Sequence, residues 1–269
     1  MYGKIQETAR FLREKTHIRP DAAVILGTGL GQLAKEVEAE VVIPYADIPH
    51  FPVSTVEGHK GRLIFGKLGG KDIMAMDGRF HYYEGYSMQE VTFPIRVMYE
   101  LGVKTLFVSN AAGGLNPDFK VGTLMIITDH INAMPENPLR GKNVPTGPRF
   151  PSMHEPYSHE MILQAKKIAR EQHIELAEGV YVATSGPTFE TPAEYRMFRI
   201  WGGDAVGMST VPEVIVAVHQ GMKVFGISVI TDVGVGDNVQ KVTHEEVQQA
   251  ANAAQPIMAE IFRQLLIQS

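Results

Sequence analysis

The chain contains no cysteine, so a disulfide framework and thiolate chemistry are both excluded. It has no excess of positive charge. Lys and Arg number 25 against 30 Asp and Glu, and the net charge of −5 argues against nucleic acid as a main partner. Any anion site must therefore be assembled locally, from a few cations and backbone amides. Long apolar runs are missing too, which excludes a bilayer-spanning helix and a membrane partner. The first fifteen residues mix Lys, Arg and Glu with Ile5, Ala9 and Leu12 on one helical face. That pattern fits an amphipathic surface helix and lacks the apolar core of a signal peptide, so a cytoplasmic protein is expected. There is no G-x-S-x-G elbow for a serine hydrolase and no H-E-x-x-H helix. His154-Glu155 and His244-Glu245-Glu246 read as surface or cap features, and no metal is expected. No repeat, low-complexity block or linker divides residues 1–269, which read as a single domain.

What is present is an alternation of strand-like and helix-like patterns from end to end, the signature of an α/β fold. Five strand-like runs, Ala22–Leu26, Thr105–Val108, Val180–Ala183, Ala205–Gly207 and Val224–Ile230, are each followed by a polar or glycine-rich turn. Ligands of α/β sheets sit outside the carboxyl ends of the strands, so these turns are expected to converge on one pocket. Arg62–Phe65 and Lys71–Met76, joined through Gly69-Gly70, read as a hairpin. A helix is expected over Met88–Leu101 behind a capping box, Ser87 with Glu90. Three further helices show the same start signal: Thr191 with Glu194, Thr210 with Glu213, and Thr243 with Glu246. The proline-rich stretch between Asn132 and Tyr157 reads as a lid, a binding loop, a subunit contact or a plain surface excursion.

Gly27-Thr28-Gly29-Leu30-Gly31 follows a strand and suits close approach of an anion to backbone amides. It is no dinucleotide fingerprint, because Gln32 replaces the last required glycine. A tight strand–helix turn would need the same glycines. Arg79 and His81 stand two residues apart in Gly78–Tyr86, so in an extended segment both project to one side as a clamp for an oxyanion. His59 is a candidate third member. The alternative is a solvated basic edge. Ser109–Gly114 is a run of small residues that admits a ligand to the backbone or a closely packed helix. Phe189-Glu190 offers an aromatic face beside a carboxylate, suited to a flat ring with N–H groups, or else an ordinary staple before the Thr191 cap. Asp232, after Thr231, can donate a proton if burial raises its pKa; otherwise it makes a simple Asx turn.

The motifs ILGTGLGQL, FPVSTVEGHKGRL, GRFHYYEGY, SNAAGGLNP, DHINAMPENPLRG, SGPTFETPAE, DAVGMSTVPEV and THEEV run in order along the chain. Together they resemble the trimeric family of purine nucleoside phosphorylases, the group that includes 5′-methylthioadenosine phosphorylase. The resemblance implies one α/β domain with a central twisted mixed sheet flanked by helices. It implies phosphorolysis of purine nucleosides to free base and (deoxy)ribose 1-phosphate in a homotrimer. Phosphate is a co-substrate, and neither cofactor nor metal takes part. By the same resemblance, phosphate contacts fall on Thr28, His59, Arg79, His81, the Ala111 amide and Ser209. Ribose contacts fall on Tyr83, Met208, His244 and a neighbour's Phe150. Base contacts fall on Phe189, Glu190, Thr231 and Asp232, with Tyr181 bordering the sugar and base. His81, Glu190, Asp232 and His244 are the expected catalytic set.

Asp232 departs from the pattern. Members selective for 6-oxopurines carry Asn there, while adenosine-type members carry Asp but lack the carboxylate kept here as Glu190. The expectation is inosine and guanosine cleavage with some acceptance of adenosine, the alternative being an adenosine or methylthioadenosine phosphorylase. An oxidoreductase is disfavoured by the incomplete fingerprint, and a hydrolase by the lack of a carboxylate-rich metal site. A non-catalytic nucleoside-binding module would use the same pocket.

Overall fold

The computed structural model describes residues 1–27, 31, 33–56, 59–234 and 243–268. The elements run α1 (Tyr2–Lys15), β1 (Ala22–Leu26), α2 (Leu33–Glu36), β2 (Glu38–Pro44), β3 (Arg62–Leu68) and β4 (Lys71–Asp77). They continue with α3 (Met88–Val91), α4 (Phe93–Leu101), β5 (Thr105–Gly114), β6 (Leu124–Asn132), α5 (His159–Glu171) and β7 (Ala177–Ala183). Then come α6 (Pro192–Ile200), β8 (Ala205–Gly207), α7 (Val211–His219), β9 (Lys223–Val233) and α8 (His244–Gln268).

The strands form one mixed sheet in the order β2-β3-β4-β1-β5-β8-β7-β6-β9, and a further β5–β9 pairing closes its second half into a ring. Helices flank it, and a buried apolar core fills the space between, with β1 buried at every position. Helix α1 forms because Ile5, Ala9 and Leu12 repeat at helical spacing, and all three are fully buried. Burial of each large aliphatic side chain contributes about 1.5–3 kcal/mol. The expected hairpin is β3–β4, with Gly69 and Gly70 both at positive φ in its turn.

Two expectations change. The helix predicted over Met88–Leu101 is broken at Thr92, which ends α3 and opens α4. Pro94 has no N–H to donate back to the Glu90 carbonyl, and the Thr92 hydroxyl donates instead to Met88 O at 2.7 Å. The capping box predicted at Thr210 is also absent. Thr210 sits at φ 70° and makes no side-chain cap bond, because Glu213 is drawn inward to another partner.

The strands do not all point one way. β1, β4, β5 and β9 run parallel, whereas β6, β7 and β8 run against β5 and β9. The turns after β5, β7, β8 and β9 nevertheless converge as expected, on a cavity that forms where these opposed strands meet along β5. β1 stops opposite Val108, and β8 arrives from the far side to pair with Gly113 and Gly114. The run Ser109–Gly114 is itself strand, paired along β9 from Ile227 to Val233.

Candidate active site

A cavity of about 480 Å³ opens along this stretch of β5. Four steps of extended chain separate Ser109 from Gly113, about 13 Å. The cavity accordingly has two ends of different chemistry.

Arg79 and His81, which follow β4, line one end together with Ser209 and Ala111. Arg79 is buried, and its Nε and Nη2 donate to the two carboxylate oxygens of Glu213 at 3.0 and 2.6 Å. Nη1 donates to Ser109 O. Two of the five guanidinium N–H groups thus have no acceptor among the described residues. The His81 ring lies in a stack, 5.5 Å from His59 and 4.7 Å from Tyr83. Burial would raise the Glu84 carboxyl, but hydrogen bonds from His81 and Thr55 outweigh it and hold the group at about 2. An ionised carboxylate only accepts, so His81 Nδ1, 3.1 Å from Glu84 Oε1, carries the proton. Burial lowers the His81 pKa, Glu84 opposing and Arg79 assisting, so the ring is neutral and Nε2 is an acceptor. The expected oxyanion clamp is therefore one cation already joined to a carboxylate, beside a neutral imidazole.

His59 does not line the cavity. It packs on His81 with Nδ1 3.3 Å from the Arg79 amide nitrogen, and burial with the neighbouring His81 and Arg79 lowers its pKa to about 4. Thr28 lies outside the described residues. Tyr181 is fully buried behind the wall, where its hydroxyl accepts from the Ser209 amide at 3.4 Å; it supports the site and does not border it.

The other end is lined by Phe189, Glu190, Thr231, Asp232 and Tyr195. Asp232 is pinned at both oxygens. Thr231 Oγ1 donates to Oδ1 and the Tyr195 hydroxyl to Oδ2, each at 3.0 Å. Burial raises the Asp232 pKa against these two donors. Glu190 accepts from Thr184 Oγ1 at 3.3 Å. Burial first, and the charge of Asp232 among lesser causes, lifts its pKa to about 7. Between the two ends, Tyr83, Met208 and His244 line the cavity, His244 being the first residue of α8 after the Thr243–Glu246 cap. Phe150 is 87% exposed and borders a separate hollow with His130 and Arg149, outside this cavity. Among the described residues, no three His, Asp or Glu side chains gather as a metal ligand set, and no helix is long and apolar enough to cross a membrane.

Residues 21–267 match the phosphorylase superfamily. The chain belongs to that superfamily. Within it, the chain is 57% identical to purine nucleoside phosphorylase 1 of Geobacillus stearothermophilus, over 90% of this chain and 89% of the relative. It is 52% identical to the purine nucleoside phosphorylase of Rattus norvegicus, over 94% and 90%. The crystal structure of Schistosoma mansoni purine nucleoside phosphorylase in complex with adenosine superposes with a TM-score of 0.93 at 42% identity, covering 98% of this chain and 96% of that one.

Three residues of this superfamily member escaped the sequence reading. The spacing of Glu213 from Thr210 fits a cap, whereas the fold pairs it with Arg79. Glu84 and Tyr195 carried no local signal, since their partners, His81 and Asp232, are set by the fold. Gly113 shows how tightly that fold closes here. A Cβ on it would stand 3.1 Å from both Asp232 Oδ2 and the Tyr195 hydroxyl. Gly113→Ala is expected to shift the carboxyl by a few tenths of an ångström and lower kcat/KM about tenfold, with the melting temperature little changed. Steady-state kinetics beside thermal melting checks this; an unchanged kcat/KM would refute it.

Proposed function

We propose that the protein is a purine nucleoside phosphorylase, cleaving inosine and guanosine and their 2′-deoxy forms to free base and (deoxy)ribose 1-phosphate. The observation that carries this is one cavity lined by anion-binding groups, Arg79, His81 and Ser209, and by an aromatic–carboxylate pair, Phe189 and Glu190. The high identity to named purine nucleoside phosphorylases supports it.

In this reading phosphate sits against the two Arg79 N–H groups left over by Glu213 and Ser109, the Ser209 hydroxyl and the Ala111 amide, with Thr28 completing the shell and His59 backing His81. His81 Nε2 accepts the O–H of monohydrogen phosphate, which turns the bare oxygens toward the sugar. Tyr83, Met208 and His244 hold the ribose, His244 at its 5′-hydroxyl. A second subunit's Phe150 covers it in a homotrimer. Phe189 packs on the purine, ionised Glu190 accepts its N1–H, and Asp232 beside Thr231 faces N7.

As the C1′–N9 bond lengthens, positive charge grows on the ribosyl carbon, and the phosphate below stabilises it before an oxygen bonds to C1′. The N9 electron pair leaves with the base, and the proton on Asp232 passes to N7. Fixed dipoles and charges aimed at such developing charge usually give the largest catalytic contribution. No cofactor or metal has a part in this scheme, and the protein acts in the cytoplasm. Base release from four nucleosides (inosine, guanosine, adenosine and methylthioadenosine) tests the reading. Release should require phosphate and favour the first two, and Asp232→Asn should sharpen that preference by on the order of tenfold, one lost acceptor clash with O6. Cleavage without phosphate, or of methylthioadenosine alone, would refute it.

A further inference from the structure

The two hydroxyls that hold Asp232 are not equally committed to it. The Thr231 hydroxyl has a choice of acceptors, Asp232 Oδ1 at 3.0 Å or the Ala112 carbonyl of β5 at 3.4 Å. The Tyr195 hydroxyl donates to Asp232 Oδ2 at 3.0 Å and has no other acceptor among the described residues. Burial first, then the neighbouring Asp232 and Glu190 carboxyls, raises the pKa of this phenol, so it keeps its proton and stays a donor.

The fold builds a slot for this side chain. Tyr195 lies in the first turn of α6, where its amide donates to Thr191 O at 3.0 Å behind the Thr191–Glu194 capping box. Its ring packs with Leu115, Val182, Phe198 and Val206 and is 3% exposed. Two glycines from other segments make the room. A Cβ at Gly234 would overlap the ring, and one at Gly113 would crowd the hydroxyl. Phenylalanine would fill the same slot, so what the hydroxyl adds is the bond to Asp232.

We propose that Tyr195 is a positioning residue for proton transfer from Asp232 to the purine. This rests on the phosphorylase reading above. The phenol holds Oδ2 as an acceptor, which leaves the acid proton to Oδ1 while the Thr231 hydroxyl turns to the Ala112 carbonyl. As the Oδ1–H bond breaks and an N7–H bond forms, Thr231 turns back, and the new carboxylate accepts both hydroxyls. Hydrogen bonds to an ionised acceptor are roughly twice as strong as those between neutral groups, so the Tyr195 bond tightens as the proton leaves. A contact that strengthens toward the transition state raises kcat.

The experiment compares Tyr195→Phe with the wild type on inosine and on 7-methylguanosine, both with saturating phosphate. Inosine takes a proton at N7 as its base departs. The imidazolium of 7-methylguanosine is already cationic, and the N9 electron pair leaves with a neutral base, so no proton is called for. In Tyr195→Phe, kcat for inosine should fall about tenfold while KM stays within about twofold. For 7-methylguanosine kcat should change by less than about twofold, whereas a merely structural loss would slow both substrates alike. In an Asp232→Ala background, adding Tyr195→Phe should cost no further inosine turnover, because the two groups act as one unit. Wild-type inosine turnover in Tyr195→Phe would overturn the inference. So would equal slowing of both nucleosides, or the same loss with and without Asp232; each leaves the phosphorylase reading intact. Failure of the wild type to cleave any nucleoside in the presence of phosphate would sink that reading itself, and the inference with it.

Discussion

Arg79→Ala is expected to lower kcat/KM for phosphate by about 10³, the scale on which a preorganised charge-stabilising donor acts. The guanidinium lines the cavity with two N–H groups that have no acceptor among the described residues, its other three being fixed by Glu213 and Ser109. Those anchored contacts leave the remaining pair little freedom, so in the proposed reading they would meet a phosphate without reorganisation. The same substitution strands a buried carboxylate at Glu213, which is 3% exposed. Melting must therefore be followed on the same sample. In Arg79→Ala/Glu213→Ala both charges are gone, and stability should largely return while activity does not. Wild-type turnover in either variant would refute the assignment of the anion to this end.

Glu213→Ala is expected to have the largest effect on stability. Removing one partner of a buried ion pair leaves an uncompensated charge and costs about 3–5 kcal/mol. For a chain of this size that amounts to roughly 10 °C in melting temperature. The liberated Arg79 is then an unpaired cation facing the cavity, so added phosphate or sulfate should raise the melting temperature of the variant more than that of the wild type. Calorimetry with and without sulfate decides it. Equal shifts in the two proteins would show that Arg79 does not face the bound anion.

Much of the frame was legible because it is local chemistry. Ser87–Glu90, Thr191–Glu194 and Thr243–Glu246 form the caps their spacing announces, and the Gly69-Gly70 turn closes the hairpin. The site was legible by its residue types, since Arg79, His81, Ser209, Phe189, Glu190, Asp232 and His244 all line one cavity. What escaped was decided at long range. Glu213 sits 134 residues from Arg79, and its spacing from Thr210 signals a cap that a buried guanidinium overrides. The charge state of His81 depends on burial and on Glu84, neither of which the clamp motif encodes. The direction of β7 and β8 depends on the closure of the sheet, which no strand-length pattern reveals.

Helix α7 ties two distant jobs together. Its first turn carries Glu213, and its last residue, His219, shares the buried Arg96 with Thr146 of the proline-rich loop and sets Nε2 3.1 Å from Asn143 Oδ1. Six helical steps from Glu213 to His219, about 9 Å, join the loop bearing Phe150 to the carboxylate that steadies Arg79. Any contact made on that loop would bear on one end of a short strut whose other end braces the guanidinium.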